Sequence, residues 1–461
     1  MIPYAHQTKA FDRFKDKPFG ALFLEPGLGK SKIAIDIANY KFSKGEITGV
    51  LVICPKSLIN NWHLIEIPKH STAPGVSIPW KVTKNPLVFP KSLSSLTWFV
   101  CNVDAVITDK WVKAFRAFHS MNPNFMLIVD ESTTVKTPDA QRTKRVWEIA
   151  LYSRARYILS GTPITNSPLD IWAQAEILSP GIMGKNFFLF KQRYALHEVV
   201  RISNLRTVNK VVGYQNLEEL SDKINKFAAI AKKKDCLDLP PKIYRRVPVM
   251  FTPEQAHHYN QLKEFALTSI DNQEFTAVNA ISLINLLLQV CAGQIKNPDG
   301  TYTELPTNRI DLLSDLIEEN PDKPLIWCSF VGAADAIEKA FPTTLMRIKR
   351  ETPDAERTNI LELYAKTQDK LGLLVSQSLM GRGHTILEGR NMIYYAQRFS
   401  VEQRVQSEDR PHRIGQDRSI LVSELYTPDT VEEKVLKVLE VGQALADKVV
   451  RDKSTFREFI S

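Results

Sequence analysis

Eight short apolar runs, rich in β-branched residues and each closing on a polar or small residue, constrain this chain more than any other feature. They are ALFL (21–24), VLVICP (50–55), FMLIVDE (125–131), RYILSGTP (156–163), PLIWCSF (324–330), LGLLVS (371–376), NMIYY (391–395) and ILVSELY (420–426). Helical patterns such as SKIAIDIANYKF and AADAIEKAF separate most of them. Strands that are continuously apolar and alternate with helices predict parallel sheets covered on both faces, so the expected fold class is α/β. Such sheets place ligands just beyond the carboxyl ends of their strands, which makes the polar residues closing each run the candidates for chemistry.

The rhythm breaks between about 180 and 320, where the chain turns basic and helix-rich, with AKKKDCLDLPPK at 231–242 and a long helical pattern in AVNAISLINLLLQVCAG. Neither Pro240 nor Pro241 can continue a helix, and the pair marks the best boundary. With 461 residues and 44% hydrophobic content, the chain can bury two cores. The expected lobes are 1–240, with a helical insertion at about 180–235, and 241–461, with a helical insertion at about 253–305. TPDTVEEKVLKVLEVGQALADKVV reads as one amphipathic C-terminal helix that packs back on the lobes or binds a partner helix.

The net charge of +9, from 60 Lys and Arg against 51 Asp and Glu, favours an anionic partner, most simply nucleic acid. No apolar run approaches the roughly 18 residues that span a bilayer. MIPYAHQTKAF lacks a signal-peptide core, so no membrane association or secretion is expected. The five cysteines, Cys54, Cys101, Cys236, Cys291 and Cys328, show no metal-ligand spacing and read as reduced, mostly buried thiols of a cytoplasmic protein. His257 and His258 are adjacent and would diverge on a helix, which argues against a metal site there.

The first chemical motif is FLEPGLGKSK (23–32). An apolar strand enters Gly27-Leu28-Gly29-Lys30-Ser31, and an apolar-periodic helix begins there. Glycines let backbone N–H groups face a phosphate at a helix N-terminus. Lys30 would reach the β and γ phosphates of a nucleotide, and Ser31 would offer its hydroxyl to Mg²⁺. The strict pattern has a glycine where this chain has Leu24, and the short pattern also arises by chance; the strand–loop–helix context favours a phosphate loop. FMLIVDES supplies an acidic partner on a second buried strand: Asp130 to hold Mg²⁺ and Glu131 to orient and deprotonate water. Two adjacent carboxylates are alternatively ordinary turn residues.

Phosphoryl transfer also needs positive charge on the γ-phosphate, and VQSEDRPHRIGQ (405–416) carries Arg410 and Arg413. Ser400 and Gln403 predict a capping box, and Gln406, Arg410 and Arg413 at i, i+4 and i+7 would share one helical face. Pro411 disfavours helix at Arg410 and predicts a kink or an end, with Gly415 closing the turn. On spacing alone, a solvated basic face and a phosphate clamp stay equally open.

EPGLGKSK, VICPKSLINNW, IVDESTTVK, LSGTPITNSPLDIWAQAEIL and QRVQSEDRPHRIGQ, in this order, resemble the Swi/Snf-type ATPases of helicase superfamily 2. KKKDCLDLPPK followed by VMFTPEQAHHYNQL also looks like that family's link between lobes, and the similarity runs from about residue 2 to 455. The resemblance implies two RecA-like lobes clamping ATP, with DNA across both. It implies that Gln7 reads adenine, that Gly27, Leu28, Gly29, Lys30, Ser31 and Lys32 form the phosphate loop, and that Asp130 and Glu131 are the Mg²⁺ and water-activating pair. Ser160, Gly161, Thr162 and Pro163 match the segment that links nucleotide state to lobe movement. Arg410, Arg413 and Gln406 match the second lobe's contribution, with Gly383 nearby. Lys56, Ser57, Lys136, Ser329 and Phe330 match nucleic-acid-contacting positions.

Several positions depart from the family. Pro26 stands where Met is usual, Thr133 where a histidine helps the lobes communicate, and Lys232 to Lys234 where arginines are typical. SLMGRGHTILEGRNMIYY keeps Gly381 and Gly383 but loses the usual Leu-Asn-Leu, and Pro411 replaces a small residue. The chain reads as a motor core with few appendages, monomeric, like bacterial or phage relatives. The leading expectation is an ATP- and Mg²⁺-dependent translocase on double-stranded or branched DNA. The alternatives are a strand-separating or branch-migrating helicase on forked DNA or RNA, for which EVVRISNLRTVNKVVGY (198–214) could supply a hairpin, and an ATP-gated clamp. A small-molecule P-loop kinase explains neither the second α/β lobe nor HRIGQ.

Overall fold

In a computed structural model, the structure describes residues 3–81, 87–90, 94–164, 167–203, 206–272, 276–297, 299–367, 369–380, 386–442, 449 and 453–460. The chain divides into two compact units, Met1–Asp238 and Leu239–Ser461, beside Pro240 and Pro241.

The first unit is built on a seven-stranded sheet of order β3-β4-β2-β5-β6-β1-β9, every pairing parallel. Its strands are β1 (Phe19–Leu24), β2 (Gly49–Cys54), β3 (Gly75–Pro79), β4 (Leu96–Asn102), β5 (Phe125–Asp130), β6 (Ala155–Leu159) and β9 (Ala228–Ala231). β2 and β5 are buried along their whole length. Alternate residues serve two cores: Phe23, Leu51, Ile53 and Val129 pack on one face, and Leu22, Val50, Val52 and Ile128 on the other. Continuous apolar runs are what two covered faces demand.

The second unit repeats this plan. Its six parallel strands run in the order β10-β17-β16-β13-β15-β14: β10 (Lys242–Pro248), β13 (Pro324–Cys328), β14 (Leu345–Ile348), β15 (Gly372–Val375), β16 (Asn391–Ala396) and β17 (Ile420–Tyr426). Ile326, Leu374 and Ile393 belong to one core, and Leu325, Trp327, Leu373 and Tyr394 to the other.

All eight apolar runs form sheet strands, while β3, β4, β9, β10 and β14 were not among them. The stretch at 180–235 is not purely helical. Between the helices Phe187–Tyr194 and Leu217–Phe227 it folds an antiparallel hairpin of β7 (Ala195–Ser203) and β8 (Arg206–Tyr214), and it ends in β9. The stretch at 253–305 holds helices Pro253–Asn272 and Ala277–Cys291, then a short hairpin of β11 (Gln294–Lys296) and β12 (Tyr302–Glu304). The single C-terminal helix expected from 427 onward is instead Val431–Val441, stopped by Gly442 at φ 106°, and a later helix spans Lys453–Ile460. Positive φ is cheap only for glycine, which explains the stop. Among the described residues, no helix is long and apolar enough to cross a membrane.

In the second unit Arg309 is wholly buried, and its guanidinium donates to Glu432 and to Thr427 Oγ1 (3.3 Å). Glu432 also accepts from the Thr427 N–H at 2.9 Å. Removing one partner strands a buried charge, so Glu432→Ala is expected to destabilise the second unit by about 3–5 kcal/mol. Hydrogen exchange under mild urea checks this: protection should fall in β13, β16 and β17 and hold in the first sheet.

Candidate nucleotide site

Three segments meet at the carboxyl end of the first sheet: the loop after β1, the acid turn after β5 and the loop after β6. β5 and β6 are neighbours, as are β6 and β1, and the chain leaves all three strands toward the same edge.

The loop Glu25–Gly29 turns on two left-handed glycines, Gly27 (φ 87°) and Gly29 (φ 83°), and Gly29 caps the helix Lys30–Ser43. Lys30 Nζ donates to the Leu24 carbonyl at 2.8 Å, which folds the ammonium back over the loop. Gln7 lies against the same loop. Its Nε2 donates to the Leu28 carbonyl (3.2 Å), and its Oε1 accepts from the Tyr4 N–H (3.2 Å). Gly29 is required by its left-handed φ, and a Cβ there would stand 2.3 Å from Gln7 Nε2 and displace the tip of that side chain. Ser31 is half-buried in the first helical turn. Lys32 pairs instead with Asp36 one turn along (2.6 Å), in the wall of a hollow of about 570 Å³ lined also by Gln7, Phe11 and Tyr40. That volume falls in the range of small-molecule pockets, roughly 300–1,000 Å³.

Asp130 ends β5 and is 6% exposed. Its Oδ2 accepts from the Trp62 indole Nε1 (2.8 Å) and its Oδ1 from the Glu131 N–H (3.0 Å). Burial, then the neighbouring Glu131 charge, push its pKa up to about 6, while the Trp62 bond and Lys30 pull it down. Glu131 sits in the left-handed region at φ 50°, ψ 58°, a conformation that non-glycine residues rarely adopt. Its backbone turns the chain sharply into the Ser132–Val135 turn.

After β6, Ser160 is buried and its Oγ accepts from the Thr162 N–H (3.1 Å). Gly161 meets Pro26: a Cβ there would lie 2.8 Å from the proline Cδ. Ser132 and Gln174 are both fully buried and joined, Ser132 Oγ donating to Gln174 Oε1 at 2.6 Å. Lys136 pairs with Asp170 at 3.2 Å, and Lys56 and Ser57 are exposed in the turn after β2. Trp62, Gln174 and Glu25, whose carboxylate accepts the Lys233 N–H at 2.7 Å, were not singled out from the sequence. The indole of VICPKSLINNW and the lone amide inside DIWAQAEIL were the available signals.

In the second unit, the arrangement around Arg410 and Arg413 differs from the expected helical face. The helix spans only Val401–Glu408, and the chain turns at Asp409. Ser400 Oγ accepts from the Gln403 N–H (3.4 Å), but Gln403 Oε1 is buried with no hydrogen-bond partner, so the reciprocal half of the capping box is missing. Arg410 Nε donates to the Gln406 carbonyl (3.1 Å), while Gln406 Nε2 reaches back to Glu402 (2.9 Å). Pro411 ends the helix as its ring requires, and its carbonyl accepts from Arg413 N (3.2 Å) and Gln416 Nε2 (3.1 Å). Gly415 closes the turn at φ 100°. The arginines therefore project from a pinned turn, Arg410 buried and Arg413 half-buried.

Ser329 donates to Gln377 Oε1 (2.9 Å), and Gln377 Nε2 donates to Ser407 Oγ (3.2 Å), which also bonds the Tyr394 hydroxyl (2.6 Å). The Phe330 ring is in the core. Gly381, Gly383 and His384 lie outside the described residues.

The family profile described as SNF2-related domain matches residues 12–295, and that described as Helicase conserved C-terminal domain matches 308–415. The chain belongs to the SNF2-related family. It is 25% identical to the uncharacterized ATP-dependent helicase MG018 of Mycoplasma genitalium, over 97% of this chain and 42% of that protein. It is 24% identical to the ISWI chromatin-remodeling complex ATPase ISW2 of Saccharomyces cerevisiae, over 92% of this chain and 38% of that one. The chain thus spans less than half the length of these SNF2-related relatives. Among solved structures, the Sulfolobus solfataricus SWI2/SNF2 ATPase core in complex with dsDNA matches with 23% identity and a TM-score of 0.45, covering 98% of this chain and 93% of that one.

Trp62 is one of two neutral donors to the buried Asp130, beside the Glu131 N–H, and its bond lowers a pKa that burial raises. Trp62→Phe removes this donor and should raise the Asp130 pKa by about one unit, read by NMR titration of the Asp130 carboxyl carbon.

Proposed function

We propose that this chain hydrolyses ATP with Mg²⁺ and uses it to move along duplex DNA without parting the strands. The observation that carries the reading is the convergence, at one end of one parallel sheet, of the loop after β1, the Asp130–Glu131 turn and Ser160–Pro163, in a chain of the SNF2-related family. Bound phosphates would draw Lys30 from the Leu24 carbonyl to which it donates at 2.8 Å. Glu131 takes the proton of the attacking water as its oxygen bonds the γ-phosphorus and ADP leaves. Arg410 and Arg413 supply the charge that stabilises the phosphoryl group in flight.

Ser31 and Asp130 fit Mg²⁺: both present hard oxygen atoms, and each Asp130 oxygen uses one lone pair on a protein donor and keeps another. The ion would neutralise charge on the β and γ oxygens. Support for DNA comes from the net charge of +9, the exposed Lys56 and Ser57, and the relatives named as helicases and a remodelling ATPase. Phosphate-directed binding is salt-dependent and nearly blind to sequence.

ATP turnover measured without nucleic acid and with single-stranded DNA, duplex, fork and RNA tests the reading, together with triplex displacement against duplex unwinding. Duplex stimulation with displacement and no unwinding supports it; turnover indifferent to nucleic acid would falsify it. Arg413→Ala is expected to lower kcat by about 10³-fold or more with ATP binding retained, read by turnover and equilibrium titration.

A second reading, strand separation, is favoured by one feature: the β7–β8 hairpin, two nine-residue strands paired antiparallel. If it acts as a wedge, replacing residues 195–214 by a short glycine linker should abolish fork unwinding and leave ATP turnover.

A further inference from the structure

Thr133 stands where the resemblance implies a histidine, yet the acid turn is not isolated from the segment after β6. Ser132, two residues after Asp130, donates to Gln174 Oε1 at 2.6 Å. The other end of that amide, Nε2, donates to the Pro163 carbonyl at 2.7 Å and to the Asp170 carbonyl at 2.9 Å. The Asp170 side chain takes Lys136 at 3.2 Å. Gln174 lies on the helix Ile171–Leu178, whose other residues are almost all buried and apolar.

The polarity of this amide is fixed by what surrounds it. Its oxygen faces a hydroxyl that can donate, and its NH₂ faces two carbonyls that only accept. Turned over, it would set oxygen against two oxygens. With both Ser132 and Gln174 at 0% exposure, losing the bond between them strands a buried polar atom. The glutamine therefore has one arrangement, and any shift of the acid turn must carry Gln174 or break it.

We infer that Gln174 is the positioning residue through which the Asp130–Glu131 turn and the Ser160–Pro163 segment move together, with Asp170 and Lys136 on the same linkage. It touches no substrate; it transmits nucleotide state to the backbone of Thr162 and Pro163 and to the Lys136 ammonium. The inference rests on the reading of the chain as a DNA-stimulated ATPase, and it adds a residue that the motif pattern does not supply.

The test uses the full chain with Gln174→Met, which keeps volume and removes both polar ends, Ser132→Ala, and the double variant. Hydrogen exchange over 157–164 is compared with ADP and with a non-hydrolysable ATP analogue, beside duplex-stimulated ATP turnover and thermal midpoints. The wild type should show different protection at Thr162 in the two nucleotide states, and each variant should lose that difference. Duplex stimulation should fall about tenfold with KM for ATP within about twofold, and the double variant should be no worse than either single. The inference is overturned if the wild type shows no such difference or the variants keep it. It also fails if the two losses add, or if turnover falls equally with and without DNA as the midpoint drops. A wild type that no nucleic acid stimulates would remove the functional reading alone, because the exchange comparison needs only nucleotide.

Discussion

A carboxylate at the end of a strand with both faces covered has only one direction left in which to meet water. That constraint governs the first unit. β5 is buried from Phe125 to Asp130, its backbone is paired on both sides by β2 and β6, and only beyond Asp130 can polar chemistry begin. The same geometry delivers the loops after β1 and β6 to the same edge, so burial of the strands concentrates the charges at one rim. Burial also sets the charge state there: it pushes Asp130 toward protonation, and the Trp62 indole and Lys30 pull the other way.

Much of this was legible in the sequence because burial on two faces leaves a strong trace. The eight apolar runs are strands for that reason. β10, KIYRRVP, is a strand of the second sheet with an alternating, largely polar pattern, because it lies at the edge. β4, LTWFVCN, is buried from Leu96 to Cys101, but Thr97 and Asn102 interrupt the apolar run that marks the other central strands. The hairpin at 195–214 was legible from the alternation of EVVRISNLRTVNKVVGY, although the stretch around it read as a helical insertion.

Within the site, residues that act through backbone geometry or charge were visible as motifs. Those that act by holding another side chain were not. Trp62 lies 68 residues before Asp130, and an indole in an apolar context reads as core. Counting along a helix placed Gln406, Arg410 and Arg413 together, but the proline ring ended the helix before the second of them could complete the face. Each unit also hides a double-ended glutamine, Gln174 or Gln377, that faces hydroxyls and, in the first, carbonyls of neighbouring segments. A polar residue amid apolar ones is the sequence trace of such a joint, and only the fold says what it joins.

The contact of Pro26 with Gly161 has a mechanical meaning. Side chains that touch across a gap normally absorb small displacements by changing rotamer. Here one partner is a ring with fixed φ and the other has no side chain, and the glycine has no room for even one carbon. No side-chain rotation can relieve a closer approach at this point, so the phosphate loop and the loop after β6 can approach no further unless one backbone moves.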